Sequence, residues 1–246
     1  MMPDFKTTSD KIKQRGYWKI EFYPAIFQEE AINSLLNCKT AISESAVQLR
    51  GWDYPHVPTQ NDDKQEIYSK DNNHYESWID WSIYKEVWRF YKSGKFIHLR
   101  GLFEHWYDNY EVVLAPNPLA KLAPNTVVDI VNVVYTLTEV FIFLYNLANH
   151  MQDISDFELR ISMCNVENNK LVVLDPSRMP LHWQPVTHTA DISAAKNTLQ
   201  KADVIDKEQM LKLARNASQT VFENFEWQAS DSLLEELQKK LLSRRF

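Results

Sequence analysis

The chain has 246 residues, of which 44% are hydrophobic and 24% are charged, and its formal net charge is −6. This composition supplies material for a sizeable core and excludes wholesale disorder, while the acidic balance disfavours a broad surface for coating nucleic acid. The four glycines have neither GxGxxG nor P-loop spacing, so a dinucleotide-binding or P-loop domain is not expected. Two cysteines do not make a disulfide framework and no apolar signal segment follows Met1, so we expect a cytoplasmic protein.

The N-terminal half is predicted to contain strands and one helix. Residues 1–15 are polar and are expected to be loose, whereas 17–23 alternate apolar and polar residues as a strand does. Apolar residues at helical spacing predict a helix over 27–43. Two apolar runs, 87–91 and 96–100, flank a Ser-Gly turn and predict a β-hairpin.

Other parts of this half are less clear. Residues 47–49 suggest a short strand that runs into the segment 50–56, and 111–114 suggest another. Residues 76–81 fit both a strand and a helical turn, and their periodicity does not separate the two. Three prolines between 116 and 124 mark a connection.

The clearest element is a long helix over 127–150, apolar almost all round, which predicts that it is buried. Its one polar seam is Asp129, Asn132, Thr136, Glu139, Asn146 and His150. The favoured interpretation of this seam is a solvated edge with Asp129 as a cap; the alternative is that it lines a pocket or meets a partner, with Glu139 at the centre. Its polar residues argue against a membrane span.

The C-terminal part predicts a second hairpin, irregular structure and then helices. Residues 157–163 alternate apolar and polar side chains, and we expect them to pair with 171–174 as the hairpin. Residues 175–190 show no regular pattern. Apolar stripes predict helices over the last third. The expected fold class is therefore α+β, with antiparallel hairpins packed on a long buried helix and a helical C-terminal region. We expect a single domain, 1–246, with a possible subdivision into 16–115 and 125–246.

The segment from Arg50 to His56 is the first candidate for function. Trp52 and Tyr54 could stack a base or ring while Arg50 holds a phosphate or carboxylate. The structural alternative is that both rings fill the core and Arg50 pairs with Asp53 or a backbone carbonyl.

An aromatic band with interleaved cations is the second candidate. Five tryptophans lie between residues 52 and 106, and Arg89 and Arg100 lie among them, as in a platform for single-stranded nucleic acid. The alternative is an ordinary aromatic core with a solvated basic face. The histidines lack HExxH, CxxC or a close pair, so we expect no metal site and no cofactor.

Three segments carry a resemblance to known proteins. They are Arg50-Gly51-Trp52-Asp53-Tyr54-Pro55-His56, Trp88-Arg89-Phe90-Tyr91-Lys92-Ser93-Gly94-Lys95-Phe96 and Leu137-Thr138-Glu139-Val140-Phe141. Together they resemble a pattern in uncharacterised bacterial proteins, both stand-alone proteins and proteins that also contain the AlbA-type ATP-binding domain related to Schlafen proteins. The resemblance spans residues 17–150. It implies a bacterial accessory or sensing module in antiphage or mobile-element settings, and it carries over no catalytic residue.

The favoured interpretation is a non-catalytic binding or regulatory module. The candidate binding residues are Arg50, Trp52, Asp53, Tyr54, His56, Arg89 and Arg100. We expect a protein partner or a second copy of the chain, leave nucleic acid as an alternative partner and expect no membrane association.

Two other classes of function stay open. One is an enzyme on nucleic acid or nucleotides that uses Asp53, His56, Glu76 or His98. The other is a structural subunit that docks through the long helix or the C-terminal helices.

Overall fold

The computed structural model describes residues 4–58, 66–69, 71–106, 112–113, 121–122, 125–175, 178–179 and 181–244. The strands are β1 Tyr17–Pro24, β2 Glu66–Tyr68, β3 His74–Trp81, β4 Tyr84–Tyr91, β5 Phe96–Gly101, β6 Val112–Val113, β7 Lys121–Leu122, β8 Val127–Asp129, β9 Asp156–Cys164, β10 Lys170–Val172 and β11 Ile192–Gln200. The helices are α1 Phe5–Ile12, α2 Leu35–Ser45, α3 Ile130–Ala148, α4 Lys201–Val204, α5 Lys207–Glu223 and α6 Asp231–Leu242, and a 3-10 turn covers Phe103–Trp106. The predicted α+β fold class is confirmed.

The fold is built on a seven-stranded sheet in the order β11-β9-β1-β5-β4-β3-β2, with antiparallel neighbours throughout. Successive side chains of a strand point to opposite faces, so one face of β4 carries Glu86 and Trp88 while Val87 points the other way. Val87 packs with Leu99 and with Ile12 of α1. Trp88 instead joins the main core, which places Glu86 on that same face.

Helix α3 forms the centre of the main core. Fifteen of its 19 residues are buried, and it packs against α2, α5 and α6. By length and composition alone α3 could cross a membrane, but 78% of its most apolar window is buried in the fold. A core helix has the same composition, so this helix is weak evidence for a membrane span.

Two predictions near the N-terminus were wrong. Residues 5–12 form α1 rather than a loose tail, and the Asp4 side chain caps its first turn. The predicted helix over 27–43 begins only at Leu35, because Ser34 is its N-cap and accepts a hydrogen bond from the Asn37 N–H. Phe27 is exposed, so the apolar stripe of the sequence does not continue as one helix face.

The predicted hairpin of 157–163 with 171–174 was also wrong. Strand β9 pairs with β1 and β11, whereas β10 pairs with β8 in parallel. Apolar stripes predict only helices over the last third, but the structure also has strand β11 there. A bulge between Ser193 and Ala195 breaks its alternation, so Ala194 and Ala195 are both buried.

The remaining predictions divide as follows. The hairpin of β4 and β5 is confirmed, with Gly94 at φ +78 in its turn, and 76–81 belong to strand β3. The suggested strand 47–49 is a single bridge between Val47 and Tyr54. The long helix begins at Ile130, since Val127–Asp129 form β8. The proline-rich connection over 116–124 lies outside the described residues except for 121–122, and the strand suggested over 111–114 is described only at 112–113.

Candidate functional site

The Arg50 guanidinium lies against the polar seam of α3. Its Nε and Nη2 donate to the two carboxylate oxygens of Glu139, with 2.9 Å between Nε and Oε1. Its other donors reach the Asn132 carboxamide oxygen at 3.2 Å and the Thr136 hydroxyl at 3.3 Å. Glu139 is fully buried, and this fork geometry fixes both groups. This part of the seam is therefore not a solvated edge: it binds Arg50.

A second arginine lies beside the same carboxylate. Arg100 is buried, and its Nη1 is 3.7 Å from Glu139 Oε2, which is beyond hydrogen-bond distance. Its guanidinium carbon lies 4.6 Å from the Phe103 ring centroid and 5.3 Å from that of Tyr54. One carboxylate thus faces two cations, the buried Arg100 and the partly exposed Arg50, and we refer to these three charged groups as the Glu139 cluster.

Glu86 of β4 binds the segment 50–56 at Trp52 and His56, whereas Glu139 of α3 binds it at Arg50. Its Oε1 accepts hydrogen bonds from the Trp52 indole N–H at 3.3 Å and from the His56 backbone N–H at 3.0 Å. Its Oε2 is 3.0 Å from His98 Nε2. The backbone carbonyl of His56 in turn accepts from the Trp88 indole at 2.8 Å. The strand pair β4–β5 therefore fixes the backbone and one ring of the segment.

The pKa values of Glu86, His98 and Tyr54 follow from their burial and their hydrogen bonds. Burial alone would raise the pKa of Glu86, but the hydrogen bond with His98 and the nearby charge of Arg100 lower it overall. Burial lowers the pKa of His98. A neutral His98 that donates from Nε2 to Glu86 can accept the Tyr54 hydroxyl at Nδ1, 3.0 Å away. Tyr54 is fully buried, and burial raises its pKa well above the ordinary value.

Four rings form a stacked group beside this cluster. Trp52 lies between His56 and Tyr84, with centroid distances of 4.3 and 4.1 Å and nearly parallel planes. Trp81 is nearly parallel to Trp52 at 5.9 Å and is 59% exposed. We refer to Trp52, His56, Tyr84 and Trp81 as the ring surface.

A groove of about 500 Å³ adjoins the ring surface. It is lined by Gln48, Leu49, Arg50, Gly51, Asp53, His56, Val57 and Arg244. Asp53 Oδ1 is 2.7 Å from His56 Nδ1, and Oδ2 accepts the Val57 N–H at 3.1 Å. A carboxylate that orients an imidazole in a groove is the arrangement of a general base, so this pair could in principle move a proton.

The structure brings together six of the seven candidate binding residues. Arg50, Trp52, Asp53, Tyr54, His56 and Arg100 surround the Glu86 and Glu139 carboxylates. Tyr54 and Arg100 are buried, so they support the site from inside. Arg89 lies on the opposite face of the sheet, where it pairs with Glu76 and lies 4.0 Å from the Phe5 ring centroid.

Of the four enzyme candidates, Asp53, His56 and His98 lie around the same segment, and Glu76 does not join them. Glu76 pairs with Arg89 and is 3.2 Å from His74 Nε2. His98 is enclosed in the core. Only Asp53 and His56 therefore line a groove.

Sequence reasoning missed Glu86. The register of β4 and β5 places Glu86 opposite Arg100 and Trp88 opposite His98, all on the core face. The hairpin was predicted, so a cross-strand acid–arginine pair was the available signal, but a buried carboxylate does not stand out in a sequence.

Two buried acidic residues lie together at the N-terminus of α3. Glu104 Oε1 accepts the Asp129 backbone N–H at 2.9 Å, and the Asp129 carboxylate accepts N–H groups of Asn132 and Leu174. Burial and the nearby charge of Asp129 raise the pKa of Glu104 to about 7. Burial raises the pKa of Asp129 to about 6. We call Glu104 and Asp129 the acid pair.

Within the described ranges, no three His, Cys, Asp or Glu side chains are grouped so that they could hold a metal ion. Comparison of the chain with protein-family models, with curated proteins and with solved structures finds no match.

Proposed function

We propose that this chain is a non-catalytic binding or regulatory module of a bacterial system, with an antiphage or mobile-element role, and that it binds a protein partner through the ring surface. The observation that carries the proposal is the fixed position of segment 50–56. Buried carboxylates hold both of its ends, while Trp81 is left largely exposed. A rigid aromatic patch is typical of a protein-binding site, since little conformational entropy is lost when it binds.

The charges around the ring surface favour protein over nucleic acid. Binding to phosphates needs cations that are free to contact them. Arg50 and Arg100 face Glu139, and Arg89 pairs with Glu76. Lys11 and Lys85 both pair with Asp80. The two arginines that suggested a nucleic-acid platform, Arg89 and Arg100, therefore each face a carboxylate of the chain itself.

Two exposed tryptophans offer a matched test. Trp81 is 59% exposed and Trp183 is 60% exposed, but Trp183 is not part of the ring surface. The wild-type chain, Trp81→Ala and Trp183→Ala would each be tagged and purified from the native host, and the bound proteins identified by mass spectrometry. We expect one partner to be lost from Trp81→Ala and kept by Trp183→Ala.

A direct binding measurement separates the two partner classes. Fluorescence anisotropy with labelled single-stranded DNA and RNA at physiological salt should show no Trp81-dependent binding. Nucleic-acid binding that Trp81→Ala abolishes, or identical partners for both variants, would contradict the proposal.

The Asp53–His56 pair supports a second candidate, an enzyme on nucleotides or nucleic acid. It is favoured by one observation, the 2.7 Å contact of a carboxylate and an imidazole in a groove of about 500 Å³. Its test is turnover of nucleotides, phosphodiesters and RNA by the wild-type chain and by His56→Gln, with His150→Gln as a control. Turnover that only His56→Gln loses would replace the binding module with this enzyme.

A further inference from the structure

Arg100 has hydrogen-bonding capacity that the described part of the chain does not fill. Its side chain is 2% exposed, and neither Nη1 nor Nη2 has a hydrogen-bond partner among the described residues. The nearest carboxylate oxygen, on Glu139, is 3.7 Å away. Phe103 packs against the guanidinium but accepts no conventional hydrogen bond. Buried guanidinium N–H groups are costly to leave unpaired, so a further acceptor is expected next to them.

A small cavity lies at this place. Its volume is about 10 Å³, and Arg100, Glu104, Asn132 and Thr136 contribute to its lining together with Trp18, Gly101, Leu102, Phe103 and Val133. This volume is at the lower limit for one water molecule and leaves no room for a larger ligand. A buried water needs two to four polar partners, and the lining includes the Arg100 guanidinium as a donor and the Glu104 carboxylate as an acceptor.

We propose that this cavity is a specific site for one ordered water molecule, which accepts a hydrogen bond from Arg100 and donates one to the Glu104 carboxylate. Glu104 is the preferred acceptor, since the Asn132 carboxamide oxygen and the Thr136 hydroxyl already accept from Arg50. A carboxylate has about four acceptor positions, and the Asp129 N–H occupies one of those on Glu104.

The water has a structural consequence. It gives the Glu139 cluster a second link to the acid pair, besides Asn132, whose carboxamide oxygen accepts from Arg50 and whose N–H donates to Asp129. Arg50 already binds Asn132 in the first turn of α3, where Asp129 is the helix cap, and the water adds a contact to this turn through Arg100.

Crystal structures that resolve ordered solvent test the site directly. We expect one water peak in this cavity in the wild-type protein and in Glu104→Gln, which keeps an acceptor oxygen. We expect the peak to be lost in Glu104→Leu and kept in Thr136→Val. An empty wild-type cavity would overturn the proposal. A water that persists in Glu104→Leu, or that only Thr136→Val removes, would overturn the assignment of Glu104.

A bromide soak distinguishes water from an anion attracted by the two arginines. An anomalous peak in the cavity would overturn the proposal, and its absence beside a water peak supports it. In solution, magnetisation transfer from water to the Arg100 side-chain N–H protons should be present in the wild-type protein and absent in Glu104→Leu. This measurement decides the case if that variant does not crystallise.

Discussion

Glu86 and Glu104 are equally buried, at 2% exposure each, yet their pKa values are shifted in opposite directions. Glu86 accepts two N–H groups, contacts His98 and has Arg100 nearby, and these interactions outweigh the effect of burial. Glu104 accepts the Asp129 N–H and faces the Asp129 carboxylate, so burial dominates. The partners of a buried acid, rather than its depth, therefore decide whether its charge is tolerated.

The same contrast separates the Glu139 cluster from the acid pair. The cluster has two cations around one anion, whereas the acid pair has two carboxyl groups and no hydrogen-bonded cation among the contacts described. Loss of the anionic charge should therefore destabilise the fold at the Glu139 cluster and stabilise it at the acid pair. Four variants test this difference, in order of the expected effect.

The largest effect is expected for Glu139→Gln. The change removes the buried carboxylate that Arg50 binds and Arg100 faces, and breaking a buried ion pair costs about 3–5 kcal/mol. The free energy of unfolding would be measured by urea titration. The control is Glu44→Gln, since the Glu44 side chain is 63% exposed and its ion pair with His150 is long at 3.7 Å. If both variants lose the same stability, the Glu139 cluster does not stabilise the fold.

Glu104→Gln should have an opposite, pH-dependent effect. The pKa of Glu104 is about 7 in the folded chain against an ordinary value of 4.5, so the folded state binds more protons between these values. The free energy of unfolding of the wild type should therefore fall as pH rises from about 4.5 to 7. Glutamine cannot ionise, so the variant should gain stability relative to the wild type between about pH 5 and pH 8, on the order of 2 kcal/mol. Parallel curves for the two proteins would show that Glu104 does not titrate in this range.

Glu86→Gln should cost about 1.5 kcal/mol, because it weakens hydrogen bonds to a charged acceptor without leaving a cation unpaired. It should also loosen Trp52, which donates to Glu86 and stacks between two rings. Urea titration gives the loss of stability, and near-UV circular dichroism reports the order of the ring surface. An unchanged near-UV spectrum would mean that stacking alone positions Trp52.

The smallest effect on stability is expected for Trp81→Ala, within about 0.5 kcal/mol, as for most surface changes. Its ring is largely exposed, in contrast to the buried carboxylates. Thermal unfolding against the wild type is sufficient to measure this. A larger loss would indicate that the ring surface belongs to the core and would weaken its assignment as a contact surface.

Much of the fold could be predicted where local pattern and tertiary environment agree. Strand β1, the β4–β5 hairpin and helix α3 have strong periodicity, and the structure contains all three. Prediction failed where a residue's role depends on a distant neighbour. Strand β9 alternates as a hairpin strand would, but its partners are β1 and β11. The bulge in β11 hides its alternation altogether.

The candidate site shows the same division. The segment 50–56 was identified from its unusual side chains, and it lies at the centre of the polar network. The sequence leaves two alternatives for Arg50, a bound phosphate or carboxylate and a pair with Asp53 or a backbone carbonyl, yet its partner is Glu139, 89 residues away. Sequence proximity favoured Asp53, but Asp53 binds His56 and Val57 instead.

The sequence by itself determined that the chain has a large aromatic core, a long buried helix and one unusual polar segment, since composition and periodicity are local properties. Only the tertiary structure decided which polar groups meet. Burial makes the choice of partner energetically decisive, because a charge in the core must find its counter-charge or hydrogen bonds there. Arg50, Arg100 and Glu139 come from distant parts of the chain, and the packing of α3 on the sheet brings them together.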